Sequence, residues 1–207
     1  ARPNAWRHNA HVRSLVIVLG DQLDRRSAAL DGFDPGQDAI WMAEVIEEST
    51  HVWAAKQRIA VFLAGMRHFR DELRASGRTV LYRELASAAV PQAAGAYPPE
   101  PTSLAESLAI DVAAYHPGRL VMVEPGDHRV ALAIRAAASR LGISLEVRTD
   151  RHHLCSIEEF TAFAAGRKQL RMEHFYRMMR RRHGVLMDAD QPAGGSWNYD
   201  SENRAAF

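Results

Sequence analysis

Five short apolar runs recur along the chain. Residues 14–19 (SLVIVL) are continuous and β-branched, and Gly20 follows at once. A strand with no polar alternation is buried on both faces, as in a parallel sheet. Residues 39–45 (AIWMAEV), 79–83 (TVLYR), 120–123 (LVMV) and 144–148 (SLEVR) are the other four runs. Helical patterns lie between most of them. Over residues 52–76 apolar side chains fall at Val52, Ala55, Ile59, Phe62, Met66, Phe69 and Leu73, and Gly77 supplies a stop. Steps of three and four mark one face of a helix.

Capping chemistry sharpens the remaining helices. Ser103 with Glu106 predicts a capping box that opens a helix to about Tyr115. Asp127 is placed to cap residues 129–141, and Gly142 to end them. Residues 92–101 (QAAGAYPPEP) read as a loop. After Arg148 the strands stop. Residues 156–165 read as a short helix with a box at Ser156 and Glu159, residues 171–183 as another, and periodicity is lost from Gly184 onward. Alternation of strand and helix predicts an α/β fold: a five-stranded, parallel, doubly wound (Rossmann-like) sheet over residues 14–150. A helical extension and linker follow over residues 151–207.

Composition narrows the class. The chain has 207 residues, 47% apolar and 25% charged, with a formal net charge of +1. A nucleic-acid role therefore depends on local clustering rather than on the whole-molecule field. The single cysteine, Cys155, excludes an internal disulfide and a four-cysteine metal or iron–sulfur site built from this chain alone. One thiol suits a reducing, cytoplasmic compartment. No apolar run approaches the roughly 20 residues that span a bilayer, and residues 1–13 read as a polar, basic leader rather than a signal peptide.

Open parallel sheets bind ligands outside the carboxyl ends of their strands. Three segments fall there. Gly20-Asp21-Gln22 follows the first run, and it reads either as a turn with an Asp cap or as a site for a polar heterocycle or sugar. Glu44, Glu47 and Glu48 follow the second; they favour a helix N-terminus or accept hydrogen bonds from a neutral ligand, and their like charge discourages phosphate. Glu124-Pro125-Gly126-Asp127 follows the fourth, as a strand–turn–helix connection or a ligand-facing edge. Neither G-x-G-x-x-G nor G-x-x-x-x-G-K-[ST] is present. Outside the sheet, Arg167, Lys168, Arg171, Arg177, Arg180, Arg181 and Arg182 cluster against one acid, Glu173, with His174, Phe175 and Tyr176 interleaved. That run reads as a solvated or packing face, or as a track for a phosphate backbone. Met172, Phe175, Met178 and Met179 form an apolar stripe that needs a packing partner. His152, His153, His174 and His183 lack metal-ligand spacing, no nucleophile elbow is visible, and no catalytic or metal-binding residue is assigned.

In order, LVIVLGDQL (15–23), AEVIEES (43–49), AGMRHF (64–69), EPGDHRV (124–130), AAGRK (164–168), MEHFYRMMRRRHGVLM (172–187) and GGSWNYDSENR (194–204) resemble one family. It is that of the deoxyribodipyrimidine photolyase-related proteins, the prokaryotic iron–sulfur branch of the cryptochrome and photolyase family, which includes (6-4) photolyases. The resemblance implies an amino-terminal antenna domain that binds 6,7-dimethyl-8-ribityllumazine, followed by a larger helical domain holding FAD and a [4Fe–4S] cluster. It implies light harvesting by the lumazine, energy transfer to reduced FAD and electron donation to ultraviolet-damaged DNA. It places lumazine contacts at Asp21 and Glu48, with Gln22 and Glu44 as neighbouring candidates. It also places Arg204 toward DNA phosphate and Trp197 against the helical FAD domain, while the basic run itself offers Arg180 and Arg181 as DNA contacts.

The expectation is thus an antenna domain of a DNA-repair flavoprotein, without the FAD domain and inactive as a lyase on its own. A nucleotide- or small-molecule-binding domain without antenna role, or a DNA-binding module, are the alternatives. No membrane partner is expected.

Overall fold

The computed structural model describes residues 12–85 and 102–199. The basic leader up to residue 11, the proline-rich loop at 92–101 and Arg204 lie outside the described residues. The chain divides into two compact units, Ala1–His152 and His153–Phe207.

The first unit is built on five parallel strands: β1 (Ser14–Ile17), β2 (Ala39–Ala43), β3 (Val80–Arg83), β4 (Arg119–Val123) and β5 (Leu145–Arg148). Their order is β3-β2-β1-β4-β5. Leu15 of β1 pairs with Ala39 of β2 on one side and Leu120 of β4 on the other. Successive strands run to β3 on one side, and the chain then crosses to β4 on the other. The strand order therefore reverses between β1 and β4, and a crevice opens there by construction.

Burial on both faces follows from the two-residue period of a strand. Leu15 and Ile17 of β1, with Trp41 of β2, pack against Leu104, Leu108 and Val112 of α3 (Leu104–Tyr115) and Val130, Ile134 and Ala138 of α4 (His128–Leu141). Val16 and Val18, with Ile40 and Met42, face the opposite way. They pack against Met66, Phe69 and Leu73 of α2 (Lys56–Ala75) and Ala28 and Ala29 of a 3-10 turn, Ala28–Leu30. This is the doubly wound α/β arrangement. No helix among the described residues is long and apolar enough to cross a membrane.

The capping residues act as expected. Ser103 and Glu106 form a reciprocal box at α3, and the Asp127 carboxylate accepts from the Arg129 N–H at α4. Gly142 ends α4 at φ 65°, a left-handed conformation that costs glycine nothing. One helix differs from the sequence expectation. The period over 52–76 predicts a single helix, but α2 begins at Lys56, and a separate short helix, α1 (Ile46–Thr50), precedes it. Val52 and Trp53 lie exposed between the two. An apolar period does not guarantee a buried face when no element packs against it.

Buried charge is paired. Asp38, just before β2, accepts the Arg13 guanidinium and the backbone N–H groups of Ser14 and Asp34. Trp41 donates its indole N–H to Asp111 of α3 at 2.8 Å, and the Arg83 fork completes that carboxylate at 2.6 and 2.7 Å.

The second unit contains α5 (Ile157–Ala164), α6 (Met172–His183) and a two-residue antiparallel ladder, β6 (Met187–Asp188) with β7 (Gln191–Pro192). That ladder corrects the expectation that strands end at Arg148: a turn pairs two residues that carry no strand pattern. Ser156 and Glu159 form the capping box of α5. Phe175 of α6 contacts Phe160 and Phe163 of α5, each with ring centroids 5.1 Å apart. The apolar stripe of α6 is only partly used, because Met172 stays exposed while Met178 and Met179 are half-buried.

Candidate functional site

The crevice between β1 and β4 is a hollow of about 180 Å³. Its floor and walls come from the ends of three strands and from four helices. Val18, Leu19, Gly20 and Asp21 follow β1; Ala43, Glu44 and Val45 end β2; Pro125 and Asp127 follow β4. Glu48 and Ser49 come from α1, Phe62, Leu63 and Met66 from α2, Leu104 from α3 and Val130 from α4. Apolar side chains form the body, and carboxylates form the rim.

Gly20 makes this geometry possible. A Cβ there would lie 2.6 Å from the Phe62 ring and 2.8 Å from Met66 Sδ. A side chain at this position would displace the Phe62 ring and the Met66 thioether, both of which line the hollow. Asp21 is exposed at the rim, and its carboxylate lies against the β4–α4 loop, 3.7 Å from where a Cβ on Gly126 would stand. Asp21, from the loop after β1, and Glu48, from α1, line one hollow.

Gln22 and Glu44 sit differently. Gln22 is not part of the lining; its amide donates to the Glu124 carbonyl at 3.0 Å and ties the β1 loop to the end of β4. Its other amide atom, Oε1, is buried without a hydrogen-bond partner. Glu44 reaches the hollow, but its carboxylate is already engaged. Arg67 of α2 grips both oxygens at 2.7 and 2.8 Å, the Tyr82 hydroxyl donates at 2.6 Å, and the Leu85 N–H donates at 3.0 Å. Burial alone would raise the Glu44 carboxyl above its ordinary value of 4.5; these donors outweigh burial and hold it below. Burial and the Glu44 carboxylate together push the Tyr82 hydroxyl up. Glu44 thus braces the ends of β2 and β3 against α2. Glu124 pairs with Arg135 of α4 at 2.6 Å and does not line the hollow.

The residue that sequence reading overlooked is Arg129, in the first turn of α4. One of its terminal nitrogens donates to both oxygens of Glu48 at 2.8 and 3.0 Å and lies 3.3 Å from Asp127. The other reaches Glu47 at 3.4 Å. The Glu48 bond and the surrounding carboxylates raise its already high pKa. In sequence it is one arginine inside a helical pattern, and only the approach of α1 to α4 gives it three partners. No cluster of metal-ligating side chains occurs among the described residues.

In the second unit Arg180 is buried rather than presented to solvent. It donates to the carbonyls of Val185 and Leu186, and so holds the turn after α6. Arg181 is exposed. Trp197 lies in the same unit with the guanidinium carbons of Arg177, Arg180 and Arg181 at 5.4, 5.2 and 4.7 Å from its ring. Arg177 and Arg182 pair with Glu173 and Glu159. Of the two described arginines expected to face DNA, Arg181 alone is exposed.

The family model for deoxyribodipyrimidine photo-lyase-related protein matches residues 16–207. The chain belongs to that family. It is 43% identical over 190 residues to a protein of Agrobacterium fabrum (strain C58 / ATCC 33970) described as a (6-4) photolyase. That match covers 92% of this photolyase-related chain and 36% of the relative. The chain thus spans about a third of the length of the curated relative it matches.

Proposed function

We propose that the first unit of this photolyase-related chain is a light-harvesting domain that binds 6,7-dimethyl-8-ribityllumazine in the β1–β4 hollow. The observation that carries the reading is the convergence of Asp21, from the loop after β1, and Glu48, from α1, on one apolar crevice where the strand order reverses. The residues present fit such a group. Phe62, Leu63, Met66, Leu104 and Val130 offer apolar surface to a ring. Asp21 and Glu48 offer carboxylate oxygens to ring N–H or ribityl O–H donors. The hollow is smaller than the ~300–1,000 Å³ of clefts that engulf whole drug-sized ligands. The apolar side chains of the hollow would hold the ring, and Asp21 and Glu48 at the rim would accept from its polyol. When bound, the lumazine supplies absorption of blue light.

The absorbed energy serves a flavin held elsewhere in a longer polypeptide, and through it the repair of ultraviolet-damaged DNA. A [4Fe–4S] cluster would belong to that other part, since Cys155 cannot supply four thiolates, and the FAD is assigned to it by family likeness alone. In the second unit, Arg181 and, outside the described residues, Arg204 are the cations assigned to DNA.

The test is a titration of the purified chain with the lumazine, followed by absorption and fluorescence. Saturable binding is expected. Asp21→Asn and Glu48→Gln are each expected to weaken it about 10-fold or more, the cost of a hydrogen bond to a charged group. Unchanged affinity in both variants sinks the assignment.

A further inference from the structure

The corner where α4 begins beside the sheet reversal is the place where open parallel sheets hold phosphate. The helix N-terminus offers N–H groups and a positive dipole end, and a basic side chain there completes an anion site. This chain has the basic side chain, Arg129, in the first turn of a 14-residue helix. Every other feature of the corner is set against an anion.

The first free N–H groups of α4 meet the Asp127 carboxylate, which accepts from the Arg129 N–H at 2.8 Å. That N–H holds the Asp127 carboxyl below its ordinary range. The Arg129 guanidinium is taken by Glu48, Glu47 and Asp127. Asp21 adds a fourth carboxylate from the β1 loop. Glu44 and Glu124 do not change the balance, because each has its own arginine. The rim therefore carries four carboxylates against one guanidinium.

We infer that Glu47, Glu48 and Asp127 form a phosphate-excluding collar around Arg129, so that the site takes an uncharged ring-and-polyol ligand and rejects its 5′-phosphate, with Glu47 as a specificity-determining residue. This rests on the ligand reading above and deepens it. Glu47 is suited to the role because it does not line the hollow, its side chain is 44% exposed, and it acts only through charge and through Arg129. Removing its charge relieves repulsion toward an incoming dianion and frees an Arg129 nitrogen for it. Neither change touches an uncharged ligand.

The experiment is a pair of calorimetric titrations of the full chain, with 6,7-dimethyl-8-ribityllumazine and with its 5′-phosphate. The unchanged protein is expected to prefer the unphosphorylated form by about 10-fold or more at low salt, since like charges juxtaposed across a binding surface are costly. The preference is expected to shrink as salt rises, because the rim is open to screening. Glu47→Gln is expected to narrow the preference about 3-fold and Glu47→Lys to abolish it, while affinity for the unphosphorylated form stays within about 2-fold, as for other exposed charges. Circular dichroism melts establish that both variants fold. Equal binding of the two ligands by the unchanged protein, or a preference insensitive to salt and to both variants, overturns the collar and leaves the lumazine reading standing. Failure of the unchanged protein to bind the unphosphorylated form overturns both.

Discussion

Trp41 and Phe175 are both large aromatic side chains on regular elements, yet they are held in opposite ways. Trp41 sits in a central strand of the first unit at 0% exposure, with its ring in the apolar core and its N–H on Asp111. Phe175 sits half-buried on α6 of the second unit, against two other rings. The difference extends to the regions around them. The first unit buries apolar residues on both faces of a sheet. Among the described residues of the second unit no apolar side chain counts as buried except Pro192, and the buried charged residue is Arg180. Its cohesion comes from ring contacts, arginine over aromatic faces and capped helix ends. Such contacts contribute roughly 0.5–1.5 kcal/mol each, whereas a buried large side chain contributes several. The first unit is therefore a folding core, and the second is a region of lower local stability.

Truncating the core is the strongest way to break that contrast. Trp41→Ala removes the largest fully buried side chain and leaves Asp111 without its indole donor. A loss of about 3–5 kcal/mol is expected in urea unfolding followed by circular dichroism. A loss under about 1 kcal/mol contradicts the assigned role of the sheet.

Glu44→Gln comes next. Its side chain is fully buried, but its partner Arg67 is 42% exposed, so a loss of about 1–3 kcal/mol is expected rather than the full cost of a broken buried pair. The pH dependence separates charge from packing. Because the folded Glu44 carboxyl is held below its ordinary value of 4.5, the unfolded chain binds more protons. The contribution is present above that value and is lost as pH falls through the folded value. Glu44→Gln is expected to flatten this part of the acid limb. Asp38 is held low in the same direction and leaves a residual limb in the variant. An acid limb identical to that of the unchanged protein contradicts the bracing role of Glu44.

Phe175→Ala is expected to act locally. It removes both ring contacts of α6 with α5. Faster limited proteolysis within residues 153–199 is expected, because that region loses the ring contacts that join its two helices. An unchanged rate of cleavage there contradicts the role given to Phe175. Ser156→Ala has the smallest expected effect, about 1 kcal/mol on α5 from loss of its cap. Faster amide exchange in the first turn of α5 checks it.

Much of the fold is legible in the residues themselves. Runs such as 14–19 announce strands buried on both faces, and Ser103, Asp127, Gly142 and Ser156 mark the helix ends where they occur. The candidate site is legible in part. Asp21 and Glu48 fall at strand ends, so position alone nominates them. Arg67, Tyr82 and Arg129 carry no local signal. Their chemistry is made by residues 23 to 82 positions away, and a charged side chain in a helical pattern looks the same whether it faces water or a buried carboxylate.

What the chain determines by itself is local: alternation or continuity of apolar positions, capping side chains and left-handed glycine ends. These depend on neighbours within a turn or a strand, so a linear reading suffices. The packing of five strands in the order β3-β2-β1-β4-β5 decides the rest. It turns Glu44 inward to Arg67 while Asp21 and Glu48 line one rim; within the second unit, the turn after α6 buries Arg180 while Arg181 stays outside. Identical side chains take different roles because the dielectric and the partners around them are set by elements distant in sequence.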